Sequence, residues 1–558
     1  MTSAAPGMAI NGSESLGAHE VRKVIFASSL GTVFEWYDFY LYATLAPFFA
    51  GLFFPKTNAT AALLGSFVGY AAGFLVRPFG ALVFGRIGDL VGRKYTFLIT
   101  IMVMGLSTAL VGALPTFEKV GWLSPILLMV LRLSQGLALG GEYGGAATYV
   151  AEHAPDSKRG LHTSWIQTTA TLGFFISLLV IYACRANMDA KAFTTFGWRI
   201  PFLVSLLLLA ISVYIRLKLN ESPVFLRMKS EGKGSRQPIR DSFANWPNAK
   251  IVLLALFGAA AGQGVVWYTG QFYALFFLTT TLKLDWRTSY GIVAWALALG
   301  TGLFILFGWL SDKIGRKKIM MVGCLLGAVT YFPLFKAMTS AANPALERFA
   351  ASTHITVTAS GCNVHLFPTP ATVYSPCDKA TDFLAKRSLS FERIEGVPGT
   401  APITNINGVV ITGVDEAKVV ATLKALKPDL FVDDGPALAK PDPAKMAIPK
   451  ANPADVNKGL LILLVLIQVV FVTMVYGPIA AFLVELFPAR IRYTSMSLPY
   501  HIGNGWFGGM LPLTAAALVV ANGNIYAGLW YPVVVAALSF LIGTLFIRET
   551  RDHRISTL

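Results

Sequence analysis

Charge is scarce in this chain. Of 558 residues only 14% are Asp, Glu, Lys or Arg, against 54% apolar, whereas soluble domains carry about 25% charge. Chemistry-bearing patterns are scarcer still. There are four cysteines and seven histidines, with no Cys-x-x-Cys spacing and no His-rich cluster, so a metal centre has no support. No G-x-S-x-G elbow and no phosphate-binding loop occurs, and an enzyme is therefore not expected. The first twenty residues lack the ordered basic start, apolar run and cleavage site of a signal peptide, so the first apolar span is expected to start insertion.

What the chain has in quantity is apolar sequence, with a mean hydropathy of +0.59. Runs of about 20 residues, enough to cross roughly 30 Å of hydrocarbon, recur at 24–54, 62–85, 96–114, 123–150, 161–184, 198–217, 251–280, 288–310, 319–338, 459–486, 495–521 and 525–547. Twelve spans predict an all-α polytopic membrane protein. The formal charge of +16 fits that reading rather than nucleic-acid binding. With the amino terminus inside, the inner loops and tails hold 24 Lys and Arg and the short outer loops only 7. That bias places both termini in the cytoplasm.

Two segments repeat. GRIGDLVGRK at 85–94 and GWLSDKIGRK at 308–317 both read G-x-x-x-D-x-x-G-R-K, both follow an apolar span, and both fall on the inner side. Their offset of 223 residues divides the chain into two six-helix halves, the build of many transporters, with substrate held near the midplane between them. In order, the expected units are a cytoplasmic tail (1–23), the amino-terminal half (24–218), a cytoplasmic linker (219–250), spans 7–9 (251–338), an insertion (339–457), and spans 10–12 with a short tail (458–558).

The duplicated loop resembles the signature of the major facilitator superfamily. RLSQGLALGGEYGGA at 132–146 resembles its fourth-helix motif, and NESPVFL at 220–226 and RET at 548–550 are similar to segments after its sixth and twelfth helices. FEWYDFYLY, LVRPFGALVFGRIGDLVGRK and LFPARIRYT narrow the resemblance to the metabolite:proton symporters, over roughly 20–338 and 458–550. Such a resemblance implies proton-coupled carriage of carboxylates, shikimate, proline or betaine. Regulation of the osmosensing kind, which in one branch uses a coiled-coil tail, is not expected, since RETRDHRISTL carries no heptads.

Two acids stand in the middle of the first span. A carboxylate at the bilayer centre costs about 2.5–3.5 kcal/mol on insertion scales, yet Glu35 and Asp38 sit there in one stripe with Gly31 and Tyr42, spaced by four, three and four residues. Intramembrane ionisable groups face a cavity or a partner. Desolvation favours the neutral form of a carboxyl, which suits reversible protonation. Asp38 is the preferred proton carrier and Glu35 the alternative. Arg132 shares a face of the fourth span with Gln135, Gly136, Leu139 and Tyr143. The resemblance ties this Arg to proton coupling, and a static ion pair with the first span is the other reading. Arg77, in LVRPFG, can anchor a substrate carboxylate or pair with Asp38 or Glu35; both remain open. Tyr42, Gln135, Gln263, Trp267 and Gln271 complete the expected substrate site; Tyr268 and Tyr273 mark the seventh span as a cavity wall with them, and His501 and Asn504 are weaker candidates. Glu142 is read near the inner end of its span. Asp89, Arg93, Asp312 and Arg316 straddle the repeated turns, where Asp can accept from Arg and from helix amino ends. The resemblance implies that these loops latch the halves in one state.

Residues 339–457 interrupt the family pattern, which has a short outer loop there. Alternation in 354–360 and 389–396, together with VVIT at 409–412, predicts strands. DEAKVVATLKALK at 415–427 predicts a helix, and 428–457 reads as a linker. A small α/β extracytoplasmic domain follows, with a Cys362–Cys377 disulfide plausible in an oxidising compartment and zinc on His354 and His365 disfavoured. Cys184 and Cys324 read as packing residues. The expected protein is therefore a monomer of the bacterial inner membrane that takes up a small organic acid with protons and needs no cofactor. A zwitterion symporter is the alternative. A receptor using the outer domain is a third reading, weakened by inner loops of at most about 30 residues.

Overall fold

The computed structural model describes residues 18–54, 72–365, 372–433, 446–553 and 555. The rest of the amino-terminal tail, Lys56, the first ten residues expected in the second span, part of the 428–457 linker and the last few residues of the chain lie outside them. Ten helices among the described residues are long and apolar enough to cross a bilayer. They are α3 (Arg93–Ala113), α4 (Leu123–His153), α5 (Asp156–Ala186), α6 (Arg199–Leu217), α7 (Trp246–Thr281), α8 (Trp286–Ile314), α9 (Arg316–Ala342), α10 (Lys458–Leu486), α11 (Arg492–Asn522) and α12 (Ala527–Phe546). Two more, α1 (Ala18–Phe53) and α2 (Arg77–Leu90), complete the pattern of twelve. Outward positions carry exposed Leu, Ile, Phe and Trp, such as Leu207, Trp295 and Leu545, a surface that only lipid can satisfy.

The repeated turns show why their sequence is G-R-K. Gly92 and Gly315 have φ of 145° and 113°, values that L side chains rarely adopt, and each is the residue before a new helix. Helix α7 is locally over-wide: Leu256–Ala260, Thr269–Tyr273 and Phe277–Thr281 are π turns, and Ile502–Gly508 of α11 is another. Such turns often mark functional positions. Helix α10 breaks at Gly477–Pro478.

Between α9 and α10 the chain builds a four-stranded sheet from β1 (Ile355–Ala359), β2 (Glu392–Glu395), β3 (Ile403–Ile406) and β4 (Val409–Thr412), in the order β2-β1-β3-β4. Strands β1 and β2 run parallel; β1–β3 and β3–β4 are antiparallel. The alternation read in 354–360 is real: Ile355, Val357 and Ala359 are buried and the threonines between them only partly so. Helix Pro376–Ala385 crosses from β1 to β2, and Glu416–Leu426 follows β4. Sequence alternation missed β3, helix Pro376–Ala385 and helix Pro344–Ser352, and placed the end of α9 four residues early. The unit rests on the α7–α9 and α11–α12 end of the bundle. Phe391 N–H donates to Gly523 O at 2.7 Å and Asn457 N–H to Ala341 O at 2.9 Å.

Candidate functional site

The stripe read along α1 points into the amino-terminal half. At Gly31 any side chain would collide with the Arg216 guanidinium, 1.8 Å from a Cβ built there, so glycine is what lets an arginine lie against α1. Glu35 and Asp38 are both buried. Asp38 Oδ1 accepts from Ser205 Oγ of α6 at 2.8 Å. Glu35 leaves Oε2 without a hydrogen-bond partner among the described residues and lines a cavity of about 10 Å³ with Asp38, Glu142 and Ser205. Tyr42 lies beneath the Arg132 guanidinium, 3.8 Å from ring centre to Cζ, a cation–π contact. Arg132 donates to Gln135 Oε1 at 2.6 Å, and Gln135 Nε2 to Thr108 Oγ1 at 2.7 Å. Asp38, Arg77, Arg132, Gln135, Gly136 and Leu139 are among the residues around a second cavity, of about 20 Å³. That is room for about one water.

Two residues need correcting. Glu142 is in the middle of α4 and fully buried, not near its inner end. Its partner is Arg216, which the charge count had assigned to the inner loop. Arg216 is buried in the last turn of α6, donates to Glu142 Oε1 at 2.9 Å and to Phe97 O at 2.9 Å, and stacks 3.4 Å over the Phe97 ring. An arginine next to a helix end reads as a loop cation; only packing against Gly31 and Phe97 reveals it as interior. Ser205 was missed for a similar reason, since a lone serine in a leucine-rich span carries no pattern.

The other face of α1 meets the carboxyl-terminal half and is aromatic. Trp36 packs on Trp267 with centroids 5.1 Å apart, and Tyr40 stacks on Phe272 at 5.7 Å. Gln263 of α7 and Asn504 of α11 form a reciprocal amide pair, with bonds of 3.1 and 2.8 Å. Tyr500 of α11 stacks on Tyr143 of α4 at 3.7 Å and shares a 3.0 Å hydroxyl bond with Tyr476 of α10. Trp267 Nε1, Gln271 Nε2 and both ring nitrogens of His501 have no hydrogen-bond partner among the described residues. Unsatisfied buried polar atoms are costly and native interiors keep few of them. Arg77 lies at the join of the two environments. It shares the larger cavity with Asp38 and Arg132, covers the Phe74 ring at 4.2 Å, approaches Tyr268 and touches Gly505 of α11.

At the G-R-K end the halves are bolted together twice, by the same device. Asp89 accepts from Thr494 N–H at 2.9 Å, Thr494 Oγ1 at 2.7 Å and Tyr493 N–H at 3.3 Å, all on the first turn of α11. Asp312 accepts from Gly160 and Leu161 N–H, each at 2.8 Å, at the start of α5. Each aspartate therefore meets the positive end of a helix belonging to the other half. Behind them, Arg93 binds Asp89 at 2.6 Å and lies 3.8 Å from Glu152, which Arg492 also holds at 2.8 Å. Arg316 binds Asp312 at 2.8 Å and grips Glu485 with two nitrogens, while Arg159 reaches Glu485 at 2.6 Å. Glu221 accepts from the Arg93 and Lys94 N–H groups, as Glu549 does from those of Arg316 and Lys317. Matched pairs are 223 residues apart before the insertion (Asp89/Asp312) and 333 after it (Glu152/Glu485). The second half thus carries 110 more residues between its third and fourth helices.

Comparison with solved structures gives the fold. The major facilitator superfamily proton:xylose symporter XylE bound to 6-bromo-6-deoxy-D-glucose superposes with a TM-score of 0.59 at 15% identity, over 97% of this chain and 98% of that one. Residues 23–250 match the model of the "Sugar (and other) transporter" family. The shikimate transporter of Escherichia coli (strain K12) is 33% identical over 327 residues, covering 58% of this chain and 74% of that protein. The chain belongs to the major facilitator superfamily. A putative proline/betaine transporter of Staphylococcus aureus (strain MSSA476) is 36% identical over 325 residues, 58% of this chain and 68% of the relative. This superfamily member is thus a membrane transporter and not an enzyme. The metabolite branch is the one the first-span string FEWYDFYLY pointed to.

Proposed function

We propose that the chain is a proton-coupled symporter that takes up a small organic metabolite, a carboxylate in the favoured reading, across the bacterial inner membrane by alternating access. The observation that carries this is the charge balance inside the amino-terminal half. Three buried acids, Glu35, Asp38 and Glu142, face three buried arginines, Arg77, Arg132 and Arg216. That set is neutral when all six are ionised. A substrate carboxylate arriving at Arg77 adds one negative charge to a space where unpaired charge costs several kcal/mol. A proton on Asp38 or Glu35 restores neutrality, so substrate and proton enter together. Arg132 holds the coupling site through Gln135 and Tyr42, while Gln263, Trp267 and Gln271 supply the far wall with donors and an aromatic plane. Release of the proton to the inner side reinstates the Asp38 charge beside Arg132 and drives the substrate off Arg77.

With both termini inside, the bolted end is cytoplasmic and the insertion faces out. Opening inward then requires both aspartates to leave their helix ends, and the halves rock about the central site. The aromatic wall of Trp36, Trp267, Tyr40 and Phe272 favours one second reading, a zwitterion with a quaternary nitrogen held by cation–π contacts. The relative named as a putative proline/betaine transporter supports it.

Uptake by proteoliposomes tests the proposal, with an imposed pH gradient and a panel of mono-, di- and tricarboxylates, shikimate and betaines. Accumulation that follows the proton gradient and collapses with a protonophore is expected. Accumulation that follows a sodium gradient and ignores pH overturns the coupling, and preference for betaines over all acids overturns the substrate class.

A further inference from the structure

Cys362 and Cys377 form a disulfide, with Cα atoms 5.1 Å apart, and its place in the insertion is specific. Cys362 follows the carboxyl end of β1 by three residues. Cys377 is the second residue of the helix that crosses to the parallel strand β2. Thiol–disulfide exchange domains of the thioredoxin kind put their cysteines at this point of a parallel β-α-β unit, followed by a helix, an antiparallel hairpin and a last helix. Here β3–β4 and helix Glu416–Leu426 occupy the hairpin and last-helix places, and β2 runs to β3 through a short loop. The spacing differs, since the cysteines are 15 apart instead of adjoining in one turn.

Three further observations point to a working bond rather than a staple. The two cysteine segments are tied together without it. Asp378 accepts from Asn363 N–H at 2.7 Å, Ser375 N–H at 2.8 Å and Asn363 Nδ2 at 3.3 Å, and pairs with His365 Nε2 at 2.9 Å. The sulfurs are unequal: Cys362 is partly exposed and Cys377 buried. Finally, exposed apolar groups lie near the cysteines along the chain. Val364 and Val373 are in the segment the disulfide closes, and the Val397 carbonyl accepts from Ser360 Oγ, two residues before Cys362; the three valines are 61%, 86% and 68% exposed. Exposed apolar side chains close in sequence to a partly exposed Cys362 suit an extended polypeptide.

We propose that Cys362–Cys377 is a thiol–disulfide exchange site for a polypeptide bearing a pair of thiols, an activity separate from transport. One partner thiolate attacks the Cys362 sulfur. The Cys362–Cys377 bond breaks, and its electron pair leaves on Cys377, at a helix amino end that favours a thiolate and takes up a solvent proton. The second partner thiolate then attacks the partner sulfur of the mixed disulfide and releases Cys362 as a thiol. The partner is oxidised to a disulfide, this pair is reduced to two thiols, and two electrons pass.

The test uses the full chain in detergent with Cys184→Ala and Cys324→Ala, so that the pair supplies all the thiols. Two probes are compared: dithiothreitol and a short peptide with two cysteines between apolar residues. Both should open the disulfide while the protein remains folded by circular dichroism. Val364→Ser, Val373→Ser and Val397→Ser together should slow the peptide about tenfold and leave dithiothreitol unchanged. With the peptide supplied in its disulfide form, the thiol left in Cys377→Ala should attack it and hold a mixed disulfide on Cys362, whereas Cys362→Ala should form none on Cys377. A bond that yields to either probe only on unfolding is a structural staple and sinks the proposal, a measurement that needs no variant at the pair. Equal slowing of both probes by the valine changes overturns the polypeptide as substrate.

Discussion

The two halves of this transporter repeat the same contacts at one end and differ in kind farther in. Asp89, Arg93, Glu152 and Glu221 have their counterparts in Asp312, Arg316, Glu485 and Glu549, each in the same role. Farther into the bundle, the amino-terminal half buries Glu35, Asp38, Arg77, Arg132, Glu142 and Arg216, while the carboxyl-terminal half offers amides, tyrosines, tryptophan and His501, whose ring nitrogens have no hydrogen-bond partner among the described residues. A duplicated chain keeps its symmetry where both halves must do the same thing, here release and re-engage a helix end. It loses symmetry where the tasks divide. Charge handling sits in one half, and shape and hydrogen bonding in the other.

The sharpest way to break that comparison is to remove charge from the amino-terminal half. Asp38→Asn should reduce pH-driven accumulation about a hundredfold, the low end for losing a positioned proton carrier, while counterflow of substrate without a gradient persists. Loss of both activities together would instead make Asp38 a substrate ligand. Arg77→Gln should raise the KM about thirtyfold, the 2 kcal/mol of an unpaired buried charge contact, with the pH profile retained. The repeated bolts should respond alike. Asp89→Asn and Asp312→Asn are each expected to lower kcat about tenfold, near the 1.4 kcal/mol of a charge-assisted contact. A large effect in only one of them would show that the symmetry at this end is geometric and not functional. Smaller still is Asn504→Ala, which removes a neutral amide bond and should raise the KM about fivefold without altering coupling.

The insertion supplies the control, because its chemistry should not touch transport at all. Burial raises Asp378, but the N–H groups of Asn363 and Ser375 and the His365 ring outweigh that and hold it at about 2. A carboxyl held below its unfolded value of about 4 stabilises fully above that value, and the contribution fades as pH falls toward 2. The insertion should therefore keep constant stability from neutral pH down to about pH 4 and lose it below, seen by hydrogen exchange. Asp378→Asn should remove that fall with transport unchanged.

Much of this was legible in residues alone, for physical reasons. The spans follow from apolar length, the halves from a ten-residue repeat, and the stripe on α1 from helical spacing. Spacing also told which residues share a face, but not which face looks where. Gly31, Glu35, Asp38 and Tyr42 turn inward against α3, α4 and α6, and the intervening Trp36 and Tyr40 meet the other half. Arg216 and Ser205 were out of reach because long-range packing, not pattern, makes them interior. Strand β3 was hidden because the two apolar residues of ITNI, Ile403 and Ile406, stand at its ends and out of alternation, and the run is only four residues long, below what periodicity resolves.

The 110 extra residues also have a mechanical reading. They leave and rejoin the chain at α9 and α10, and hydrogen bonds tie them to Leu282, Ala341 and Gly523, all of the carboxyl-terminal half. Whatever angle that half turns through, this domain turns with it, out beyond the membrane helices. It is a pointer fixed to one moving plate, so a dye on the domain and another on the opposite half would read each transport cycle as a change in distance.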